Sequence, residues 1–139
     1  MRYSVLCYII NGYENVLEVA EKDPEAEYIL VTDDKNLTSS TWNVVYDESL
    51  LSMPGIFDRC YSIRFNVFKY CTTPICLYID ANVKVNKSLK PLIDRFEDGK
   101  YDMCLMPHPF RYDFMSEYQA WIHGRNYPLA KAQKFFKLL

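Results

Sequence analysis

Residues 74–85, Pro-Ile-Cys-Leu-Tyr-Ile-Asp-Ala-Asn-Val-Lys-Val, decide the predicted fold, because an apolar run here passes directly into oxygen-bearing side chains. Ile75–Ile79 is typical of a buried β-strand, and Asp80 and Asn82 follow it. Side chains at the carboxyl end of a strand lie where α/β sheets commonly bind ligands, and Mg²⁺ and Mn²⁺ prefer such oxygen ligands. The segment therefore indicates a metal site; a simple turn or helix cap is the alternative interpretation.

The apolar runs on either side of this strand predict the class of the fold. Further strands are expected over Tyr3–Ile10, Tyr28–Thr32, Trp42–Tyr46, Val83–Val85 and Tyr101–Met106, and helices over Val16–Ala20, over Phe57–Tyr70, after an N-cap at Asn86 and from about Ser116. Strands that alternate with helices and read as near-continuous apolar runs indicate an α/β fold. We expect a three-layer sandwich with a mainly parallel sheet.

Polar residues follow several of these predicted strands. Right-handed crossovers bring the carboxyl ends of parallel strands to one edge of the sheet. We therefore expect the residues after the strands to share that edge, namely Asn11, Asp33, Asp34, Asp80 and His108.

The helix predicted over Phe57–Tyr70 carries a narrow polar stripe. Its members fall within an arc of about 80° at 3.6 residues per turn, and they are Arg59, Ser62, Asn66 and Lys69. Such a stripe is either a phosphate-binding surface or a solvated helix face, and both interpretations stay open.

The composition limits the class of protein. With 139 residues, the chain has the length of a single domain, 1–139, that buries a sizeable core. Hydrophobic residues make up 50% and aromatic residues 16%, which excludes a disordered chain. The net charge of −2 argues against a nucleic-acid partner, and no apolar run reaches the length of a transmembrane segment. We interpret the apolar N-terminus as a first strand, because it lacks the small-residue cleavage site of a secretory signal.

Five cysteines indicate the redox compartment, and they are Cys7, Cys60, Cys71, Cys76 and Cys104. Their number is odd, most lie in apolar runs, and no C-x-x-C pair occurs. With only two histidines, a zinc site is disfavoured. We expect buried free thiols, with Cys76 inert inside its apolar strand, and a cytoplasmic location.

Four stretches, taken together, resemble the GT-A glycosyltransferases. They are residues 8–14, 28–34, 64–70 and 78–82, with the sequences YIINGYE, YILVTDD, RFNVFKY and YIDAN. The chain is more closely similar to a bacterial glycosyltransferase-like family associated with capsular polysaccharide, which the segment 108–111 and the helix with Trp121 also resemble. The resemblance spans nearly the whole chain and implies a GT-A-like α/β fold.

The resemblance also implies roles for individual residues. Asn11 and Tyr13 would line the base or ribose of a nucleotide-sugar donor, and Asp33 or Asp34 would accept hydrogen bonds from it. The metal, Mn²⁺ or Mg²⁺, would be held by Asp80, with Asn82 as a second ligand or a ribose contact. Cationic residues would approach the diphosphate, namely Arg59, Arg64 and Lys69.

The remaining roles concern the sugar and the glycan acceptor. His108 and Arg111 would lie toward the donor sugar or the acceptor, and the candidates for a general base are His108, Asp113 and Glu117. The expected reaction moves a sugar from a nucleotide-diphosphate donor to a glycan acceptor, in bacterial surface-polysaccharide synthesis.

Two departures from the family keep an alternative open. Asn82 replaces the second carboxylate of the usual motif, and the chain stops at Leu139 where related chains continue. A compact variant, a truncated domain and a degenerate gene product are all consistent with that length. The alternative function is a noncatalytic nucleotide-binding or assembly module that retains the fold without turnover.

Overall fold

Four strands form a parallel sheet in the computed structural model, which describes residues 2–105 together with Ser116 and Gln119. They are β1 (Tyr3–Ile9), β2 (Ala26–Thr32), β3 (Asn43–Tyr46) and β4 (Cys76–Tyr78). Their order across the sheet is β3-β2-β1-β4, and every neighbouring pair is parallel. The predicted α/β class with a parallel sheet is thereby confirmed.

β1 lies inside the sheet because nearly all of its side chains are apolar enough to be buried on both faces. Leu6 pairs with Ile29 on one side and with Tyr78 on the other. Successive side chains point to opposite faces, so Leu6 and Ile10 pack into one core, while Val5 joins the other.

A helix covers each face of the sheet. α1 (Ile56–Phe65) contributes Ile63 to the core that contains Leu6. α2 (Lys90–Asp98) contributes Ile93 to the core that contains Val5. The two helices therefore lie on opposite faces of the sheet, which gives the three layers expected from the sequence.

Two short predicted elements are wrong, and the same contact explains both. Residues 16–20 form no helix, and residues 83–85 form no strand. Instead, Ala20 N–H donates to Val85 O at 2.9 Å, and Val19 N–H donates to Thr41 Oγ1 at 2.9 Å. The N–H groups of Val19 and Ala20 and the carbonyl of Val85 are thus satisfied by distant partners, which overrides the weak local preference of these segments.

The helical boundaries also differ from the prediction. The helix expected over Phe57–Tyr70 ends at Phe65 and is followed by a 3₁₀ turn, Val67–Lys69. Asn66 ends it, because its side-chain amide donates to Ser62 O at 2.8 Å and competes with helix continuation.

The second helix does not use the predicted N-cap at Asn86. Its N-cap is Leu89, and Pro91 lies in its first turn, where a missing N–H has no cost. Gly99 follows its last residue, in the place where the sequence Glu-Asp-Gly predicts the end.

The chain divides into two compact units, Met1–Lys100 and Tyr101–Leu139. All the elements named above belong to the first unit. In the second, residues 101–105 contain no strand, so the strand predicted over Tyr101–Met106 is wrong where it is described. Ser116 and Gln119 are helical, as predicted for that region. Among the helices of the described residues, none has the length and apolar character needed to cross a bilayer.

Candidate functional site

The candidate site lies at the carboxyl ends of β1 and β4. The chain runs outward from β1 to β2 and β3, and then returns to the opposite side of β1 to form β4. The order therefore reverses between β1 and β4. In open α/β sheets, ligands bind outside the carboxyl ends of the strands at such a reversal.

Four side chains meet at this reversal, and we call Tyr8, Arg64, Tyr78 and Asp80 the switch-point cluster. The rings of the two tyrosines stack with centroids 5.6 Å apart. The Arg64 guanidinium lies 5.5 Å from the centroid of the Tyr8 ring and 5.1 Å from that of Tyr78. Its Nη2 donates to Asp80 Oδ1 at 3.0 Å, and its Nε donates to the Tyr78 hydroxyl at 3.2 Å. The arginine is thus held by cation–π contacts and by hydrogen bonds.

The alternation of side chains along the strands explains this meeting. Tyr8 and Cys76 both pack on the face of the sheet that α1 covers. Tyr78 and Asp80 stand two and four residues after Cys76, so a period of two directs them to the same face. Arg64 follows the buried Ile63 on α1 and reaches over the tyrosine rings.

The electrostatics of the cluster favour a positive arginine and neutral phenols. Burial is the main reason why the pKa of Tyr78 is raised, and the hydrogen bond to Asp80 raises it further. Burial likewise raises the pKa of Tyr8. Burial alone would lower the pKa of Arg64, but the two tyrosines and Asp80 outweigh it, and the pKa is raised.

The Asp80 carboxylate is exposed enough to bind a ligand. Its side chain is 59% exposed and that of Arg64 is 42% exposed. Val83 N–H donates to Asp80 O at 2.9 Å, which closes a turn that carries the exposed Asn82 two positions after Asp80. A carboxylate and an amide oxygen on one exposed turn fit Mg²⁺ or Mn²⁺, which take few ligands from protein and the remainder from water and phosphates.

Asp33 follows β2 and is enclosed rather than open. Its Oδ2 accepts from Arg59 Nη1 at 2.8 Å, and its Oδ1 accepts from Asn11 N–H at 2.8 Å. Asn11 and Gly12 both have positive φ, 57° and 61°, and Tyr13 N–H donates to Ile10 O at 3.2 Å. These features define a tight turn after β1, which Asp33 ties to β2 and α1.

A third ion pair between an aspartate and a cation lies after β3. Asp47 Oδ2 lies 2.5 Å from Lys69 Nζ and accepts from the Tyr70 hydroxyl at 2.7 Å. Burial alone would raise the pKa of Asp47, but the hydrogen bonds from Lys69, Ser49 and Tyr70 together outweigh it and hold the pKa well below its usual range. Sequence reasoning missed Asp47, although it directly follows the predicted strand Trp42–Tyr46.

The three cations predicted to approach the diphosphate are therefore divided among three carboxylates, and two of them, Arg59 and Lys69, come from the predicted polar stripe. Arg59 pairs after β2, Arg64 after β4 and Lys69 after β3. Arg59 Nε is buried and has no hydrogen-bond partner among the described residues. Each of the three cations pairs with a carboxylate that follows a strand, but only Arg64 stands in the switch-point cluster.

Two predicted nucleotide contacts lie apart from this cluster. Asp34 accepts from Asn36 N–H at 2.8 Å, which makes it a turn former. Tyr13 is 84% exposed beyond the turn at Asn11. Four further predicted site residues lie outside the described residues, namely His108, Arg111, Asp113 and Glu117.

Within the part of the chain that the structure describes, no three His, Cys, Asp or Glu side chains come together as a metal-binding group. Any ion at Asp80 would thus depend on ligands such as Asn82, water and a bound phosphate. Comparison with protein-family models, with curated proteins and with solved structures finds no match to this chain.

Proposed function

We propose that this protein binds a nucleotide-sugar at the switch-point cluster and is a glycosyltransferase with a GT-A-like fold. The observation that carries the proposal is an exposed Asp80–Arg64 pair at the point where the strand order reverses. The reaction class, the glycan acceptor, the surface-polysaccharide pathway and the cytoplasmic location rest on the sequence resemblance and the cysteine pattern.

Arg64 is suited to a diphosphate. Its planar guanidinium offers paired N–H donors, which match phosphate oxygens better than the point charge of a lysine does. The stacked rings of Tyr8 and Tyr78 support it from the sheet side, so the group is held in position before a ligand arrives. Its 42% exposure leaves donors accessible to a ligand at the carboxyl ends of the strands.

Asp80 and Asn82 would hold Mg²⁺ or Mn²⁺ in this proposal. When bound, such an ion supplies Lewis-acid stabilisation of negative charge on phosphate oxygens. The exposed turn that closes between Asp80 and Val83 keeps the two oxygen-bearing side chains on the solvent side of the sheet edge. Arg64 would exchange Asp80 for a phosphate oxygen as its hydrogen-bond partner.

The protein's contribution to the chemical step is mainly electrostatic. The oxygen of the acceptor hydroxyl bonds to the anomeric carbon, the bond between that carbon and the diphosphate oxygen breaks, and negative charge grows on the departing diphosphate. Arg64 stabilises that charge by charge-assisted hydrogen bonds, which matters most where water is excluded. An inverting enzyme also needs a base for the acceptor hydroxyl, and His108, Asp113 and Glu117 remain the candidates.

The test is isothermal titration of UDP, GDP, CDP and their sugars into the full chain, with Mn²⁺, with Mg²⁺ and with EDTA. Asp80→Asn removes the charged ligand, and Asp94→Asn is the matched control, since Asp94 is an exposed carboxylate paired with Lys90 on α2. We expect one nucleotide family to bind in a metal-dependent way, at least about tenfold more weakly to Asp80→Asn, a loss of about 1.4 kcal/mol. Asp94→Asn should bind like the native chain.

Other outcomes separate the alternatives. Tight nucleotide binding without release of nucleoside diphosphate from any sugar donor in the presence of glycan acceptors would favour the noncatalytic module. Equal binding by Asp80→Asn and the native chain would remove the metal from the proposal. Failure of every nucleotide to bind a folded sample would contradict the nucleotide site itself.

A further inference from the structure

Two thiols lie side by side where the helical layer returns to the sheet. Cys71 follows the 3₁₀ turn Val67–Lys69, and Cys76 begins β4. Both are free thiols, and their Sγ atoms are 3.1 Å apart. A disulfide needs about 2.05 Å between its sulfurs, so closure requires a movement of roughly 1 Å. We propose that Cys71 and Cys76 are a reversible oxidative modification site that closes to an intramolecular disulfide.

The surroundings make the two sulfurs unequal. A hydrogen bond with Cys76 lowers the pKa of the Cys71 thiol, against the opposing effect of burial, and Ser4 adds to the lowering. The same hydrogen bond raises the pKa of Cys76. In the proposed reaction Cys71, as the more acidic thiol, attacks the oxidant and Cys76 resolves the product.

The loop between the two cysteines is already fixed by hydrogen bonds. The Thr73 hydroxyl donates to Ile75 O at 2.9 Å, and it lies 2.7 Å from the Ser4 hydroxyl. Ser4 N–H also donates to Ile75 O at 2.9 Å. The closing movement therefore concerns the two side chains more than the backbone. Cys71 itself is only 6% exposed, which favours a small oxidant.

Hydrogen peroxide is the oxidant that this access suits. The Cys71 sulfur attacks one peroxide oxygen, the O–O bond breaks, and the departing hydroxide takes up the thiol proton as water. The resulting sulfenic acid is attacked by the Cys76 sulfur, and hydroxide leaves as a second water with the Cys76 proton. Two thiols and one peroxide thus become one disulfide and two waters.

Mass spectrometry of the full chain tests the proposal directly. Cleavage after Lys69 and Lys84 gives one peptide, residues 70–84, that contains Cys71 and Cys76 and no other cysteine. After peroxide treatment and alkylation, we expect this peptide to have lost two hydrogen atoms and to carry no alkyl group. Treatment with dithiothreitol before alkylation should restore two alkyl groups. The exposed Cys104 reports the peroxide dose, because it has no thiol partner among the described residues.

Two variants keep the result interpretable. In Cys76→Ser, Cys71 should accumulate as sulfenic or higher oxides, because no resolving thiol remains. Cys60→Ser leaves the pair intact and should give the same closed peptide as the native chain. Two alkyl groups on peptide 70–84 at a dose that fully oxidises Cys104 would overturn the proposal. Independent oxygen addition at Cys71 and Cys76 in the native chain would overturn it as well. Melting curves for each variant check that the fold is retained.

Discussion

The two arginine–aspartate pairs of α1 have the same chemistry and opposite surroundings. Asp33 and Arg59 keep only 5% and 18% of their side chains exposed, and Asn11 N–H takes the other Asp33 oxygen. Asp80 and Arg64 are 59% and 42% exposed and stand at the reversal of strand order. The first pair fastens a turn, a strand and a helix to one another. The second leaves both partners accessible, so only the second is available to a ligand.

This difference separates what a sequence motif can indicate from what packing decides. Both aspartates directly follow a strand, and both looked like ligand contacts for that reason. A buried ion pair that loses one member leaves an uncompensated charge, whereas an exposed pair contributes little to stability. Substitution of Asp33 should therefore mainly lower stability, and substitution of Asp80 should mainly weaken ligand binding. Experiments on the two positions can test this difference.

The largest effect on stability is expected from Asp33→Asn. The amide still accepts the Asn11 N–H but leaves the buried Arg59 without its counter-charge. We expect the free energy of unfolding to fall by about 3 kcal/mol, measured by urea denaturation. Asp34→Asn is the matched control, because its side-chain carbonyl can still accept the Asn36 N–H, and its change should stay within about 0.5 kcal/mol. Equal effects at both positions would contradict the structural role of Asp33.

An intermediate effect on stability is expected at Glu18, whose carboxylate accepts hydrogen bonds from neutral donors. This effect depends on pH. Hydrogen bonds, first from the Thr41 hydroxyl and then from Ser40 N–H, lower the pKa of Glu18 to about 2 from 4.5. A lowered folded-state pKa stabilises the fold above pH 4.5, and this contribution is lost as the pH falls toward 2. Glu18→Gln should cost about 1 kcal/mol near pH 6.

Urea titrations at several pH values test the Glu18 prediction. The difference in unfolding free energy between the native chain and Glu18→Gln should shrink steadily as the pH falls from 4.5 toward 2. Only this difference is diagnostic, because other carboxylates titrate in the same range. A difference that stays constant with pH would show that the charge of Glu18 plays no part.

The smallest effect on stability is expected from Asp80→Asn. An exposed ion pair contributes about 0.5 kcal/mol or less, and the tyrosine rings still support Arg64. The change should disappear in about 1 M salt, where charges are screened within roughly 3 Å. The same variant should nevertheless show the largest loss of metal-dependent nucleotide binding. A stability loss as large as that of Asp33→Asn would make Asp80 a second structural aspartate.

The strands were predictable because apolar runs with polar ends are local features. The runs that predict β1 to β4 agree with the observed strands to within about two residues at each end. The order of the strands is not local: it depends on how a long crossover returns to β1, which no short pattern encodes. The predictions for residues 16–20 and 83–85 were wrong for the same reason, because Ala20 N–H donates to Val85 O, a partner far away in the sequence.

The site was predictable only in its coarse position. The strand-end rule located Asp33 and Asp80, and helical spacing located Arg59 and Lys69 on one stripe. Which cation meets which carboxylate depends on how α1 and the 3₁₀ turn after it cross the strands. Asp47 was missed although the same strand-end rule applies to it. In the sequence, Tyr8 looks like one more apolar core residue. None of the residues next to it in the sequence indicates that its ring would contact an arginine.

The position of β4 in the sheet also implies an order in which the strands associate during folding. Tyr3 of β1 pairs with Ala26, but its neighbour Ser4 pairs with Cys76, about 70 residues further along the chain. Closing that longer loop costs more chain entropy, so β1 and β2 should associate before β4 arrives. During synthesis the edge strand would dock last, and in hydrogen exchange its amides should be among the first of the sheet to open. The switch-point cluster comes into existence only with that final step.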